Sequence, residues 1–278
     1  MKALYDNYSY KASKYVTKSY STSFYAGVRF LDNKIRNDIH AIYGFVRLAD
    51  EIVDTFHDFP KQELLDEFRR DTYNAIEQGI SLNPVLHSFQ LTVNKYQIDR
   101  ELIDQFLHSM EMDLNPVEYD QSAYEEYILG SAEVVGLMCL KVFVYGDQEK
   151  YDELKPYAMK LGSAFQKINF LRDLKADLEG LGRLYFPNIG DQGITLEDKL
   201  AIEKEIQAEF DEAYIGIKKL PKSSRFGVYV SYVYYTKLLK KIKQKDTAEL
   251  MSARIRVSNN AKMALFAKSY VKNSMNLL

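Results

Sequence analysis

The sequence predicts an all-α protein, and three observations carry that prediction. No stretch alternates polar and apolar residues with the period of a strand; apolar residues recur at helical spacing instead. Helix-opening residues stand before several of these runs, as in Asn83-Pro84 and Thr195-Leu-Glu-Asp198, and Gly and Pro punctuate the gaps. No tandem repeat or low-complexity tract points to another architecture. Ten or more helices around a central cavity are expected. They form one domain over residues 1–278, since that length fits one large domain and no Pro/Gly/Ser-rich linker divides it.

In chain order, KASKYVTKSYSTSFYAGVRF (Lys11 to Phe30) begins helix-like and breaks at SYSTSF. There Ser21 and Ser23 either cap the next helix or hold a phosphate at its N-terminus. A long helix carries AIYGFVRLADEIVDTF (Ala41 to Phe56), and Pro60 within HDFPK ends it. Gln62 to Gln78 reads as amphipathic, and Asn83 caps a helix with Pro84 in its first position. Asp99 caps RELIDQFLHSMEMDL, whose Glu111 and Asp113 read as surface acids. Ser122 to Val144 is apolar on nearly all faces and predicts a central helix. Its Gly130, Ser131, Ala132 and Gly136 either pack helices closely or leave room for a substrate chain. A second polar-striped helix runs into FQKINFLRDLKADLEGLGRLYFP (Phe165 to Pro187), where GLGRLYFPN reads as a loop. Thr195 opens a helix to about Lys218 with Asp198 in the capping-box position. LPKSSR then turns the chain into the Tyr-rich GVYVSYVYYTKLLKKIKQ. A basic segment with Arg254, Arg256 and Lys262 precedes the last helix.

Composition narrows the function. With 46% hydrophobic and 27% charged residues the chain is an ordinary globule with a sizeable core. A net charge of −2 and no dense basic patch argue against nucleic acid as a partner. The single cysteine, Cys139, forms no internal disulfide and no cysteine zinc cluster, and is expected in the core. The first residues lack the apolar run of a signal peptide and no window has the length of a membrane span, so a cytoplasmic location is expected. The 22 Tyr and 15 Phe supply rings for a core or for a long apolar pocket.

Two stripes point to chemistry. Tyr43, Arg47, Asp50 and Asp54 follow spacings of four, three and four, which at about 100° per residue puts them on one helix face. Gln166, Asn169, Asp173 and Asp177 repeat the device at three, four and four. Either pair of acids alone reads as a solvated helix edge. Two pairs in apolar context predict a polar cavity, because unpaired carboxylates are not left in hydrocarbon. If the helices face one another, four carboxylates surround one space suited to hard divalent cations that bridge to phosphate oxygens. With interior Arg and Lys to clamp a diphosphate, this is a site for ionisation, and the rest of the pocket must be apolar and dry.

These residues resemble the head-to-head prenyl synthases, the family of squalene, dehydrosqualene and phytoene synthases, over nearly the whole chain. Ser21 to Phe24 matches a Ser-x-Ser-Phe segment, and Tyr43, Arg47, Asp50 and Asp54 match Tyr-x-x-x-Arg-x-x-Asp-x-x-x-Asp. MEMDL at Met110 to Leu114 is close to Met-x-Met-Asp-Leu. Gln166, Asn169, Arg172, Asp173 and Asp177 match the second acidic helix, and Arg183, Tyr185 and Pro187 match an Arg-x-Tyr-x-Pro flap. DEIVD looks most like the phytoene synthase form.

The resemblance implies an isoprenoid-synthase-type helical bundle. It also implies Mg²⁺, replaceable by Mn²⁺, held by Asp50, Asp54, Asn169, Asp173 and Asp177. Diphosphate is held by Ser21, Ser23, Arg47, Gln166, Asn169, Arg172 and Arg254, and the cation is steered by Tyr43 and Tyr235. Two geranylgeranyl diphosphates would join through prephytoene diphosphate to give phytoene for carotenoid biosynthesis, without NADPH. The alternatives are dehydrosqualene or squalene from two farnesyl diphosphates, squalene requiring a hydride donor. Peripheral membrane contact on the inner face is expected for product release, and other carotenoid-pathway enzymes are expected partners.

Two positions depart from the family pattern: Leu129 stands where relatives have a tyrosine and Glu133 where they have a glycine. Glu133, in an apolar helix, needs a cationic or metal partner. A non-catalytic binding or assembly factor would have lost an acidic pair, and both are intact. A di-iron bundle would carry Glu-x-x-His, to which Asp54-x-x-His57 is the nearest approach.

Overall fold

The stripes and caps of the sequence fold into thirteen α-helices and one π-helical turn, with no strand among the described residues. The structure, a computed structural model, describes residues 1–115, 119–176, 183, 185–187, 193–252 and 254–275. The helices are α1 Lys2–Tyr20, α2 Thr22–Val28, α3 Asn33–Asp54, α4 Lys61–Gln78, α5 Pro84–Tyr96 and α6 Arg100–Leu114. There follow α7 Gln121–Ile128, the π turn Leu129–Glu133, α8 Val134–Phe143 and α9 Gln148–Ala176. The chain closes with α10 Leu196–Lys219, α11 Lys222–Lys243, α12 Thr247–Leu250 and α13 Asn259–Ser274.

The predicted caps hold at most helix starts. Ser21 accepts the Phe24 backbone N–H at 3.2 Å, and Asn83 accepts those of Val85 and Leu86 ahead of α5. Thr195 and Asp198 close a reciprocal capping box on α10. Asp99 is a correction: it occupies the cap position of α6 but makes no capping bond, because its carboxylate pairs with Lys141 at 3.1 Å. Lys141 is buried on the otherwise apolar α8, and the pairing meets the cost of placing an ammonium there. The long apolar helix expected from Ser122 to Val144 is α7 and α8 joined without a break through the π turn.

Two apolar clusters flank the centre. In one, Phe45 of α3 stacks on Phe89 of α5 at 3.9 Å and meets Phe106 of α6 at 5.3 Å, all three fully buried. Truncating such a ring costs about 3–5 kcal/mol, so this cluster fixes the roll of α3. The other cluster surrounds Ala164, Ile168 and Leu171 of α9 with Phe210 of α10 and Leu238 of α11. With each striped helix anchored by its apolar face, their polar faces are turned toward the space between.

Candidate active site

The stripes of α3 and α9 line a common cavity of about 790 Å³. Twelve of the thirteen candidate residues border it: Tyr43, Arg47, Asp50 and Asp54 from α3; Gln166, Asn169, Arg172 and Asp173 from α9; and Ser21, Ser23, Tyr235 and Arg254 from other segments. Asp177 lies outside the described residues.

On the α3 wall the carboxylates are neutralised by arginines. Arg47 bonds Asp50 and donates to Glu51 at 2.5 Å, with its guanidinium 4.4 Å from the centre of the Tyr20 ring. Burial and the neighbouring Asp54 push the Asp50 carboxyl up to about 6. Asp54 accepts from Arg183 at 2.8 Å, and Arg183 is itself buried. Arg183 also donates to the Asp113 backbone carbonyl at 3.0 Å and pairs with its carboxylate at 3.2 Å. The Asp113 carboxylate accepts from the Tyr127 hydroxyl at 2.8 Å and the Tyr185 hydroxyl at 3.2 Å. Asp113, read from sequence as a surface acid, is thus a buried brace behind Asp54, with burial pushing it up to about 7 against the pull of Arg183. Its place in MEMDL was the available signal.

The α9 wall is held from outside. Asp173 accepts from Arg172 at 2.5 Å and pairs with Arg254, arriving from beyond α12, at 2.7 Å. One turn earlier, Asn169 accepts from the Tyr235 hydroxyl at 3.2 Å and donates to Gln166 at 3.3 Å. Lys262 of α13, not singled out for a role from sequence, lines the same cavity and donates to Ser23 at 2.9 Å. Ser21 is the capping serine, which leaves the Ser23 hydroxyl directed to Lys262.

Among the described residues no three His, Cys, Asp or Glu side chains form a single cage for a metal. The donors are hard oxygens on opposing walls, each in reach of an arginine. This set fits Mg²⁺, which keeps waters and is bound by one or two carboxylates together with substrate phosphates rather than by an all-protein cage.

Below the mouth lies a second, apolar cavity of about 330 Å³. Phe24, Tyr43, Phe165, Gln166, Asn169 and Tyr235 border both spaces and form the boundary. The two tyrosines stack there, Tyr43 on Phe24 at 4.8 Å and Tyr235 on Phe165 at 3.9 Å. The small residues of the central helix divide between the two roles expected of them. Ser131, Ala132 and Gly136 line the apolar chamber, whereas a Cβ on Gly130 would stand 2.5 Å from the Gln105 carbonyl, so Gly130 serves packing on α6. Cys139, expected in the core, borders the chamber, and burial pushes its thiol up to about 12.

The squalene/phytoene synthase family model matches residues 17–261 of this chain. The chain belongs to the squalene/phytoene synthase family. This is a prenyltransferase-type family whose members bind prenyl diphosphates. Phytoene synthase 1, chloroplastic, of Solanum lycopersicum is 28% identical over 93% of this chain and 66% of its own length. Presqualene diphosphate synthase of Rhodopseudomonas palustris is 30% identical over 64% of this chain and 63% of its own. The chain therefore spans just under two thirds of the length of these relatives. A dehydrosqualene synthase solved with ligand shares the fold with a TM-score of 0.85 at 19% identity, covering 97% of this chain and 98% of that one. A squalene synthase from Alicyclobacillus acidocaldarius superposes with a TM-score of 0.73 at 21% identity, covering 85% and 93%. The isoprenoid-synthase-type fold expected from the motifs is thereby established.

The two departures from the squalene/phytoene synthase pattern fall at the ends of the π turn. Leu129 packs against the α3-side core. Glu133 lies near Lys160 and Lys167, the cations its burial called for, yet burial and Glu209 still push its carboxyl up to about 7. No described helix is long and apolar enough to cross a membrane.

Proposed function

We propose that this chain is a Mg²⁺-dependent phytoene synthase, joining two geranylgeranyl diphosphates head to head. The observation that carries the reading is the junction of the two cavities: opposed acidic walls with arginines above, an apolar chamber below, and two stacked tyrosines between them.

Arg47, Arg172 and Arg254, with Ser21, Ser23 and Gln166, are placed to bind phosphate oxygens by charge-assisted hydrogen bonds. Mg²⁺ held by Asp50, Asp54, Asn169, Asp173 and Asp177 supplies neutralisation of the leaving diphosphate. Departure of one diphosphate leaves an allylic cation, which the double bond of the second substrate attacks. Loss of a proton then closes the cyclopropane of prephytoene diphosphate. Departure of the second diphosphate, rearrangement and loss of another proton give phytoene without a reductant. Tyr43 and Tyr235 turn ring density toward the cation, and the apolar lining excludes the water that would quench it. The C20 choice is supported by the DEIVD form and by the likeness to phytoene synthases.

Product analysis tests this directly. Farnesyl and geranylgeranyl diphosphate are supplied in turn and together, with and without NADPH, and with Mg²⁺ or a chelator. Phytoene from geranylgeranyl diphosphate, unchanged by NADPH and abolished by the chelator, is the expected result. A C30 product alone, when both substrates are offered, overturns the C20 assignment and leaves the head-to-head reaction standing.

A further inference from the structure

Helix α13 has opposite chemistry on its two sides. Its inner side belongs to the mouth: Lys262 reaches Ser23, and Phe266 packs edge-on to Phe30 with ring centres 5.5 Å apart. On its outer side Met263, Tyr270 and Met275 are 66%, 61% and 63% exposed, and Ala264 and Ala267 lie exposed between them. At about 100° per residue these five side chains cover a continuous apolar strip roughly 140° wide. Lys268 and Lys272, both exposed, run along one edge of the strip. From Leu250 to Leu278 the sequence holds five Arg or Lys and no Asp or Glu, in a chain whose net charge is −2.

We propose that the outer face of α13 docks the protein on an anionic lipid surface. An apolar strip edged by lysines is the make-up of a helix lying in a membrane interface, its rings and thioethers among the acyl chains and its ammonium groups at the head groups. Charge decides the occupant. A second copy meeting this face by twofold symmetry sets Lys268 and Lys272 against the same lysines, whereas anionic head groups complement them. Because the inner face of α13 lines the mouth, docking here puts the mouth about one helix diameter, roughly 10 Å, from the bilayer. The use of that placement, release of a hydrocarbon product, rests on the proposed function; the docking itself does not.

Co-flotation of the full chain with vesicles tests it, without substrate, so that failure of docking and failure of the phytoene reading are separate results. The protein is expected to float with vesicles of equal parts phosphatidylglycerol and phosphatidylcholine and to remain behind with phosphatidylcholine alone. The double variant Lys268→Glu, Lys272→Glu should lower the bound fraction by about tenfold or more. The double variant Met263→Ser, Met275→Ser should keep salt-sensitive binding but lose retention at high salt. All four side chains are exposed, so the melting temperature should not move. Equal flotation of wild type and the glutamate variant overturns the proposal, as does a wild type that ignores anionic vesicles. A dimer in light scattering that Met263→Ser, Met275→Ser disperses also overturns it, by giving the face to a second copy.

Discussion

The α3 and α9 walls present the same Asp-based stripe to one cavity, yet they are supported in different ways. Behind α3, Asp54 is fixed by Arg183, and Arg183 by Asp113, which two tyrosine hydroxyls complete. Every link is buried and paired. On α9, Asp173 relies on its neighbour Arg172 and on Arg254, whose side chain is 48% exposed. Behind α9 the pairing is incomplete: one carboxylate oxygen of Glu209 and the Tyr124 hydroxyl are buried without a hydrogen-bond partner, and Glu133 lies beside them. Ligand spacing on a helix is thus a local property, whereas the stiffness of the wall depends on distant residues.

The largest expected effect treats the walls as equal. Asp50→Ala and Asp173→Ala should each lower Mg²⁺-dependent product formation by about 10²-fold or more, with the fold intact by circular dichroism. A folded variant of either kind that turns over at the wild-type rate removes its wall from the site. The next effect separates them. Asp113→Asn leaves the buried Arg183 short of its charge partner and should cost about 3 kcal/mol in stability and 10- to 100-fold, roughly, in activity. Arg254→Ala should cost about tenfold, mainly in KM, with stability changed by about 0.5 kcal/mol or less. Denaturant melts alongside steady-state kinetics decide, and equal stability losses would erase the contrast.

Smaller effects probe the π turn that both walls share. Gly130→Ala drives a methyl into the Gln105 carbonyl and should destabilise by about 1–3 kcal/mol without altering the product. Ala132→Phe, in the chamber, should shift preference toward farnesyl diphosphate while Mg²⁺ dependence stays; unchanged substrate choice in a folded variant would take Ala132 out of the chain-binding surface.

The smallest effect is a pH dependence. The folded value of Glu133, about 7, stands above its ordinary 4.5, so the native state holds a proton that the unfolded chain releases earlier. The associated stability is complete below about pH 4.5 and is lost as pH rises through about 7. Glu133→Gln should therefore raise the melting temperature at about pH 8 and leave it unchanged at about pH 4. A gain equal at both would mean that the charge is not what strains the cluster.

The helices were legible because their starts and faces depend on neighbours within one or two turns: Asn83 ahead of Pro84, Thr195 with Asp198, and the stripe from Tyr43 to Asp54. The candidate site was legible for the same reason, since all its residues but Ser21, Ser23, Tyr235 and Arg254 sit on two helices. What escaped depends on residues far apart in sequence. Asp113 looks like any acid at a helix end until Arg183 and Tyr185 arrive from 70 and 72 positions away. Asp99 looks like any cap until Lys141 takes its carboxylate. Lys262 meets Ser23 across 239 positions, a pairing that helical period does not encode.

The π turn makes the central helix intolerant of deletion. Loss of any one residue from Leu129 to Glu133 would let the segment close as ordinary α-helix, rotating all that follows by about 100° relative to α7. Tyr127 would keep its hold on Asp113. Val135, Gly136, Cys139 and Phe143, which now line the chamber, would turn away from it, and larger or polar neighbours would swing in. A single missing codon there would leave the metal walls standing over a closed floor.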